Sequence, residues 1–431
     1  MRYIFMRNFR GFSDAFIPTC NTNFLVGENS TGKSSFLKTI SILSQPQFHM
    51  LPDLVMKDTS ANGVFDDFVS AWSKDRSYFE IGMAEVIQNK RQIDIRFAVY
   101  RFTDNDGAPK LSAYKLLLNS KFLEIEFSAK SAKYRITPFV TKFPKSSGID
   151  GGVILAQAEA AAVGEFSDFP NEFPTALPLP FLLHSINKKL NVKEEDDNPL
   201  IDPLFNGFSV TAIAPIRTAP KRFYDGISNG YSPEGEHTPL LLRSSLKAGN
   251  KSANFAQKLN EFGKLSGLFE TIFPHSFGAD ARAPFEIIVK FSGAEINMNN
   301  VGYGVSQALP LVVEFLARPK ARGFAVQQPE VHLHPRAQAA LGGLIYSLAK
   351  DVKHYFFIET HSDYLIDRYR IEMHSDKTKD KPSTQILFFA REKDGNRCHS
   401  IPILEDGSYS LDQPSDFRDF FVHEQLKLLD V

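Results

Sequence analysis

Gly27-Glu28-Asn29-Ser30-Thr31-Gly32-Lys33-Ser34 is the run that decides the reading of this chain. It satisfies G-x-x-x-x-G-K-[ST]. The apolar stretch before it, residues 22–26, reads as a strand. Behind it, Lys33–Leu43 carries Phe36, Ile40 and Leu43 at helical spacing, and Pro46 ends the pattern. A strand, a glycine-bearing loop and a helix in that order make a turn that grips phosphate. The glycines let backbone N–H groups from Asn29 to Ser34 point inward, and the helix adds the positive end of its dipole. Lys33 contributes a point charge for the β- and γ-phosphates, and the Ser34 hydroxyl is a ligand for Mg²⁺. Gly27, Asn29, Ser30, Thr31, Gly32, Lys33, Ser34 and Ser35 are therefore the candidate residues for ATP. The plain alternative, a glycine turn capping a helix, does not require the Lys-Ser pair.

Outward from this loop, Arg2–Phe9 reads as a strand. Residues 78–139 are rich in alternating and aromatic segments, at 79–86, 93–102, 121–127 and 134–139, and predict an antiparallel β lobe. Residues 145–152 read as a Gly/Ser-rich loop, 153–163 as an Ala-rich helix and 193–198 as an acidic, solvated loop. The stretch 151–265 is expected to be a mostly helical insertion. Strands are then expected at 285–291, 324–328, 354–358 and 385–389. Helices are expected at 307–316, 336–348, 363–370 and 417–429. Alternating strands and helices imply an α/β fold with a mixed, mainly parallel sheet. The expected division is 1–150 for the first half of the core with its β lobe, 151–265 for the insertion and 266–431 for the second half. No heptad pattern or internal repeat is evident.

Composition narrows the classes. Hydrophobic residues make up 43% and charged residues 23%, as in a soluble globular protein. With 49 basic and 50 acidic residues the net charge is −1, so any nucleic-acid surface is a local patch. Two cysteines, Cys20 and Cys398, with no signal-like N-terminus predict a reducing, cytoplasmic setting. No apolar run approaches the ~20 residues of a membrane span.

Three later segments narrow the class further. Gly302-Tyr303-Gly304-Val305-Ser306-Gln307 opens an apolar helix. Residues 324–335 run from an apolar strand into Gln327-Gln328-Pro329-Glu330-Val331-His332-Leu333-His334-Pro335. Residues 355–363 form another strand ending in Thr360-His361-Ser362. In this order the set resembles the ABC-class ATPases, including SMC-like and OLD-like proteins, and most of all a branch found in bacterial anti-phage systems, often beside a separate nuclease. The resemblance covers about 1–45, 300–425 and the segment Ala214 to Asp225. It implies an ABC-type ATPase head that pairs with itself around ATP. It implies that Ser306 contacts the γ-phosphate held by the other subunit and that His361 senses that phosphate.

The sequence also departs from that family. Related proteins place an acid where Gln327 stands, to hold Mg²⁺ through water, and many place a catalytic glutamate where Gln328 stands. Gln327 offers a carbonyl oxygen without charge, a weak Mg²⁺ ligand. Gln328 orients a water but takes no proton. Glu330 is the nearest remaining carboxylate, either a base or a turn-stabilising acid. Slow hydrolysis is the expectation, with ATP acting mainly as glue between two heads. His332 and His334 rank as a dimer-contact turn before a metal pair, since no further ligand set accompanies them.

Two basic segments remain. Arg217 and Arg222, with Lys221 and Tyr224, lie in a Pro-spaced run and read as a phosphate or nucleic-acid contact or, with more weight, as a solvated loop. Lys130, Lys133, Arg135, Lys142 and Lys145 interleave with aromatics and read as a solvated strand face or a nucleic-acid patch. The resemblance implies an ATPase subunit that regulates a nuclease or toxin supplied in trans, because 362–431 is short for an appended nuclease domain. The alternative is an SMC-like ATPase of DNA repair or chromosome maintenance, against which the missing coiled coil weighs. A transporter ATPase is the weakest reading.

Overall fold

The computed structural model describes residues 1–59, 64–88, 93–128, 131–139, 151–169, 178–190, 208–227, 230–247, 250–280, 282–318, 320–415 and 417. Residues 145–150 of the expected loop, the acidic stretch 193–198 and the expected last helix beyond 417 lie outside these. The chain divides into two compact units. The first comprises Met1–Cys20, Gly27–Val210 and Phe388–Ser400. The second comprises Asn21–Val26, Thr211–Leu387 and Ile401–Val431.

The chain opens with β1 (Arg2–Phe9), β2 (Phe12–Thr19) and β3 (Thr22–Gly27), then α1 (Lys33–Leu43), α2 (Pro46–Met50) and α3 (Pro52–Thr59). A meander follows, of β4 (Tyr78–Gln88), β5 (Ile93–Asn105), β6 (Ala108–Leu118), β7 (Lys121–Phe127) and β8 (Ala132–Pro138). After it come α4 (Gly151–Ala161), β9 (Ser167–Asp168) and α5 (Leu179–Leu190). The first unit is built on an antiparallel sheet of order β2-β1-β4-β5-β6-β7-β8-β9. Two of its hairpins are two-residue loops with both central residues at positive φ, Asp106-Gly107 and Asn119-Ser120. That is the primed turn whose twist matches the flanking strands.

Both faces of this sheet are covered, which is why its strands hold apolar residues at successive positions. On one face Phe79 stacks on Phe102 and Phe68, and Phe48 packs on Tyr100. On the other, Phe5, Val86, Phe97, Val99, Leu117 and Phe122 bury Ile154, Leu155 and Ala158 of α4. One carboxylate lies inside this second face. Glu80 is fully buried and accepts from Arg101 at 2.8 Å, Lys115 at 2.9 Å and Arg7 at 3.1 Å. Burial would raise its pKa, but Lys115, Arg101 and Arg7 hold the carboxyl below its usual range. Of the basic residues expected near the end of the lobe, Arg135 binds Glu124 at 2.6 Å and Lys133 lies 3.9 Å from Asp168. These pairs favour the solvated-face reading. Lys130, Lys142 and Lys145 are outside the described residues.

The second unit contains most of β3, then β10 (Val210–Ile213), α6 (Thr238–Leu246), α7 (Asn250–Ser266), β11 (Thr271–Ser276), β12 (Phe285–Phe291) and β13 (Ala294–Asn297). α8 (Tyr303–Leu316), β14 (Gly323–Gln327), α9 (Pro335–Asp351), β15 (Tyr355–Glu359), α10 (Asp363–Ser375) and the start of β16 (Thr384–Glu392) follow, while residues 388–392 of β16 and 395–400 of β17 (Gly395–Ile403) belong to the first unit. The stretch 151–265 is thus shared between the two units, and β10 within it is a sheet strand. The sheet of the second unit runs β10-β14-β15-β3-β16. β14 pairs with β15, and β15 with β3, in parallel. α8 packs Phe315 against Phe324 and Phe356, and α10 packs Tyr369 against Phe24. A separate antiparallel sheet joins β11, β12 and β13. The result is an α/β fold with mixed sheets. Its parallel strands end at Gln327 and Glu359, where ligands bind in open α/β sheets.

Candidate functional site

In the first unit the glycine loop is shaped by backbone that other residues rarely adopt. Gly27, Ser30 and Gly32 have φ of 137°, 64° and 103°. A β-carbon on Gly27 would meet the Phe389 carbonyl oxygen at 2.2 Å, and one on Gly32 would meet the Phe12 ring at 2.5 Å. Both glycines are therefore required by conformation and by space. The loop is pinned from its own side by Thr31 Oγ1, which donates to the Glu28 carbonyl at 2.8 Å, and by Arg391, which donates to the Ser30 carbonyl at 2.9 Å. α1 starts at Lys33 with Gly32 as its cap, and its first turn carries no acidic residue. Its positive dipole end is left available to an anion.

Lys33 is 3% exposed, and its ammonium donates to the carbonyls of Gly27 at 2.8 Å and Glu28 at 2.7 Å. The charge is thereby held at the loop. Glu28, Asn29, Ser30 and Ser34 are exposed, and Ser35 is half-buried. One fixed ammonium, an acid-free helix start and an exposed serine fit a triphosphate with its Mg²⁺.

The second unit gathers the later motifs at the ends of β14 and β15. Gln327 is the last residue of β14. Gln328 follows at φ 42°, and its N–H donates to the Glu359 carbonyl at 2.7 Å. A non-glycine residue in the left-handed region stores strain, and such strain concentrates at functional turns. Glu330 uses both carboxylate oxygens. One accepts from Thr360 Oγ1 at 2.8 Å, the other from the His361 N–H at 2.7 Å. The Glu330 side chain therefore fixes the backbone that carries His361, whose own side chain is exposed. Gln338 extends the tie. It donates to the Leu333 carbonyl at 2.7 Å and accepts from Ser362 Oγ at 2.6 Å, and Ser362 caps α10 through the Leu365 N–H.

The two histidines of the turn part company. His334 caps α9 by accepting from the Arg336 N–H, while His332, at φ 63°, lies beside Tyr303. Among the described residues no group of three or more His, Cys, Asp or Glu side chains is arranged to hold a metal ion.

Ser306 lies in the first turn of α8, 2% exposed, and donates to the Tyr303 carbonyl at 2.9 Å. It lines a cavity of about 260 Å³ with Phe223, Tyr224, Thr238 and Pro310. Gly302 and Tyr303, at the start of the same helix, are exposed.

Arg217 is where sequence reasoning gave the wrong weight. A solvated loop does not describe it, because the residue is 3% exposed. Its guanidinium donates to the carbonyls of Gln307, Gln327 and Gln328, each at 3.3 Å. Gln307 returns the contact, accepting from the Arg217 N–H and donating to the Arg217 carbonyl. Arg217 thus ties the start of α8 to the end of β14. Burial lowers its pKa to about 10, against the opposing pull of Glu330. Arg222 is by contrast exposed. The signal available in the sequence was proline on both sides of a lone arginine, which fixes backbone but does not reveal burial.

A strained phosphate loop ahead of a helix and a polar turn closing a parallel sheet define the class, a P-loop ATPase of α/β fold. A family model described as an AAA ATPase domain matches residues 1–160 and 183–366, and the chain belongs to that family. No curated protein matches it. Solved structures similar to it include an SMC head bound to the C-winged helix domain of ScpA. That match has 12% identity and a TM-score of 0.46, covering 93% of this chain and 97% of that one. Others are an Smc head with an extended coiled coil bound to the C-terminal domain of ScpA from Pyrococcus furiosus (12%, 0.44, 99% and 100%) and the SMC head from Thermotoga maritima (10%, 0.40, 93% and 99%). Among the described residues no helix is long and apolar enough to cross a membrane.

Proposed function

We propose that this protein is an ATP-gated head that binds ATP with Mg²⁺, hydrolyses it slowly, and uses the bound triphosphate to join two copies. The observation that carries the reading is the loop from Gly27 to Ser34, whose glycines admit no side chain and whose lysine is held at the loop. Gly27, Asn29, Ser30, Thr31, Gly32, Lys33, Ser34 and Ser35 hold the phosphates, and the Ser34 hydroxyl is the Mg²⁺ ligand. The start of α8, with Ser306 in its first turn, meets the γ-phosphate held by a second copy, since helix N-termini attract anions. His361 senses the same phosphate from the turn that Glu330 fixes.

Hydrolysis is slow because Gln327 and Gln328 bring no charge and no base to the end of β14. Gln328 orients the water instead, and Glu330 acts mainly by holding its turn. Mg²⁺, when bound, neutralises phosphate charge. The gated assembly controls an effector supplied in trans, a nuclease or toxin of a defence system.

Binding of a fluorescent ATP analogue and sedimentation with ATP or ADP test the first steps. ATP-dependent pairing of the pure chain is expected, and fast single-turnover hydrolysis overturns slow turnover. Co-purification of a nuclease supports the effector reading. DNA-stimulated turnover without a partner protein turns the reading to an SMC-like maintenance ATPase.

A further inference from the structure

Against the first turn of α8 lies the cavity of about 260 Å³, whose lining belongs entirely to the second unit. Phe223, Tyr224, Ile227, Met298, Leu309 and Pro310 make that lining mostly apolar. A void of ~150 Å³ is enough for benzene, so this one has room for a larger ring system. Mostly apolar cavities with a few placed polar groups are the usual form of a small-molecule site.

Two polar groups stand in this apolar setting. Thr238 is 2% exposed, and its hydroxyl has no hydrogen-bond partner among the described residues. A buried hydroxyl left unpaired is costly, and a ligand that supplies the bond removes the cost. The second group is the carbonyl of Ser306, which also lines the cavity. Four residues on, inside α8, stands Pro310, which has no N–H to give that carbonyl. Thr238 and Pro310 converge on one point. A β-carbon on Gly235 would meet Pro310 at 2.8 Å and the Thr238 hydroxyl at 3.0 Å. The charged residues of the lining are all exposed, and Asp225 and Glu236 outweigh Lys221. That balance disfavours phosphates and other anions, which separates this cavity from the nucleotide loop.

We propose that the cavity binds a small, uncharged aromatic molecule of about two fused rings, with a hydrogen-bond donor and acceptor on one edge, and that its occupation strengthens ATP-driven pairing. The acceptor takes the Thr238 hydroxyl, the donor takes the Ser306 carbonyl, and the rings lie against the apolar lining. Ser306 is in the first turn of α8, the element offered to the γ-phosphate of a second copy. A ligand packed on that turn holds it in place, so pairing has less of it left to order. The coupling rests on the ATP-gated reading above; the binding does not.

The test uses the full chain and indazole, whose N–H stands beside a ring-nitrogen acceptor. Benzofuran, of the same shape without the N–H, is the control. Without nucleotide, calorimetry is expected to show saturable indazole binding, with benzofuran weaker on the order of 10-fold. Ala219→Trp fills the cavity from an exposed lining position and is expected to abolish binding. Thr238→Val keeps the side-chain shape without the hydroxyl and is expected to reduce the preference for indazole to roughly 3-fold. Melting of both variants is measured alongside. No saturable binding at millimolar indazole, or equal binding by a folded Ala219→Trp, overturns the site. An undiminished preference in folded Thr238→Val overturns the role of the hydroxyl. Sedimentation then reads the coupling. Saturating indazole is expected to lower the ATP concentration at half-pairing about 5-fold in wild type and to leave Ala219→Trp unchanged. Unchanged or weaker pairing of wild type overturns the coupling and leaves the site standing. No pairing with ATP alone overturns the ATP-gated reading and the coupling with it, while the indazole titration judges the site by itself.

Discussion

The glycine loop of the first unit and the turn at 327–334 of the second are both sharp bends that follow a strand, yet they are held by different means. The loop is held mostly by near neighbours in sequence, with Arg391 on the Ser30 carbonyl as a distant tie. Gly27 and Gly32 adopt their φ because they lack a β-carbon, and Thr31 and Lys33 bond to carbonyls no more than six residues away. The turn contains no glycine, although Gln328 and His332 both sit at positive φ. Its strain is held from a distance, by Arg217 against the carbonyls of Gln327 and Gln328 and by Thr360 and His361 on Glu330. A bend built on glycines keeps its shape with little help from a distance, here the Arg391 bond to the Ser30 carbonyl. A bend made of glutamine, proline and histidine keeps it only while its distant clamps stay in place. The second kind is suited to a part that responds to its surroundings.

The contrast can be broken most severely at the loop. Lys33→Ala removes the ammonium without altering a glycine, and ATP affinity is expected to fall roughly 1,000-fold, about 4 kcal/mol, with melting lowered as well because the Gly27 and Glu28 carbonyls lose their donor. Equilibrium titration measures it. Retained affinity would mean that the loop is a helix cap and nothing more.

At the turn the expected loss is of stability first. Arg217→Met leaves buried carbonyls without a donor, and roughly 3 kcal/mol is expected in denaturant unfolding. Arg217→Lys should recover part of it. An equal effect of Arg217→Met and Arg222→Met would erase the distinction between a clamp and a surface arginine.

Acid sharpens the comparison by acting on the first unit. His49 is buried, bonded to Tyr100 Oη at 2.9 Å and to the Leu43 carbonyl at 2.7 Å, and burial lowers its pKa from 6.5 to about 4. Below pH 6.5 the unfolded chain takes up the proton and the folded chain does not, so stability falls as pH falls toward 4. Between pH 6.5 and 5 the loss is roughly 2 kcal/mol. It should vanish in His49→Gln, as followed by urea midpoints at each pH.

The smallest effect concerns chemistry. Gln328→Glu places a base at the strained position, and single-turnover hydrolysis is expected to rise on the order of 10-fold. No change would show that strand-end amides are not what limits turnover.

Much of the fold was legible because the pattern carried its own physics. α1 and β12 occupy the residues that periodicity marks. β6 was not legible, since Lys115 stands at an inward position among apolar residues and spoils the alternation. It is buried because Glu80 and Glu159 receive it. Arg217 misled for the same reason, an arginine in a Pro-spaced run looking solvated until its carbonyl partners are known.

What the sequence alone determined is the phosphate loop and the helix behind it, because glycine, lysine and serine at fixed spacing act through bonds between near neighbours. What only the tertiary structure decided is which distant residues meet at the ends of β14 and β15. Arg217 under Gln327 and Glu359 beside it are products of strand pairing and burial, and neither leaves a local trace along the chain.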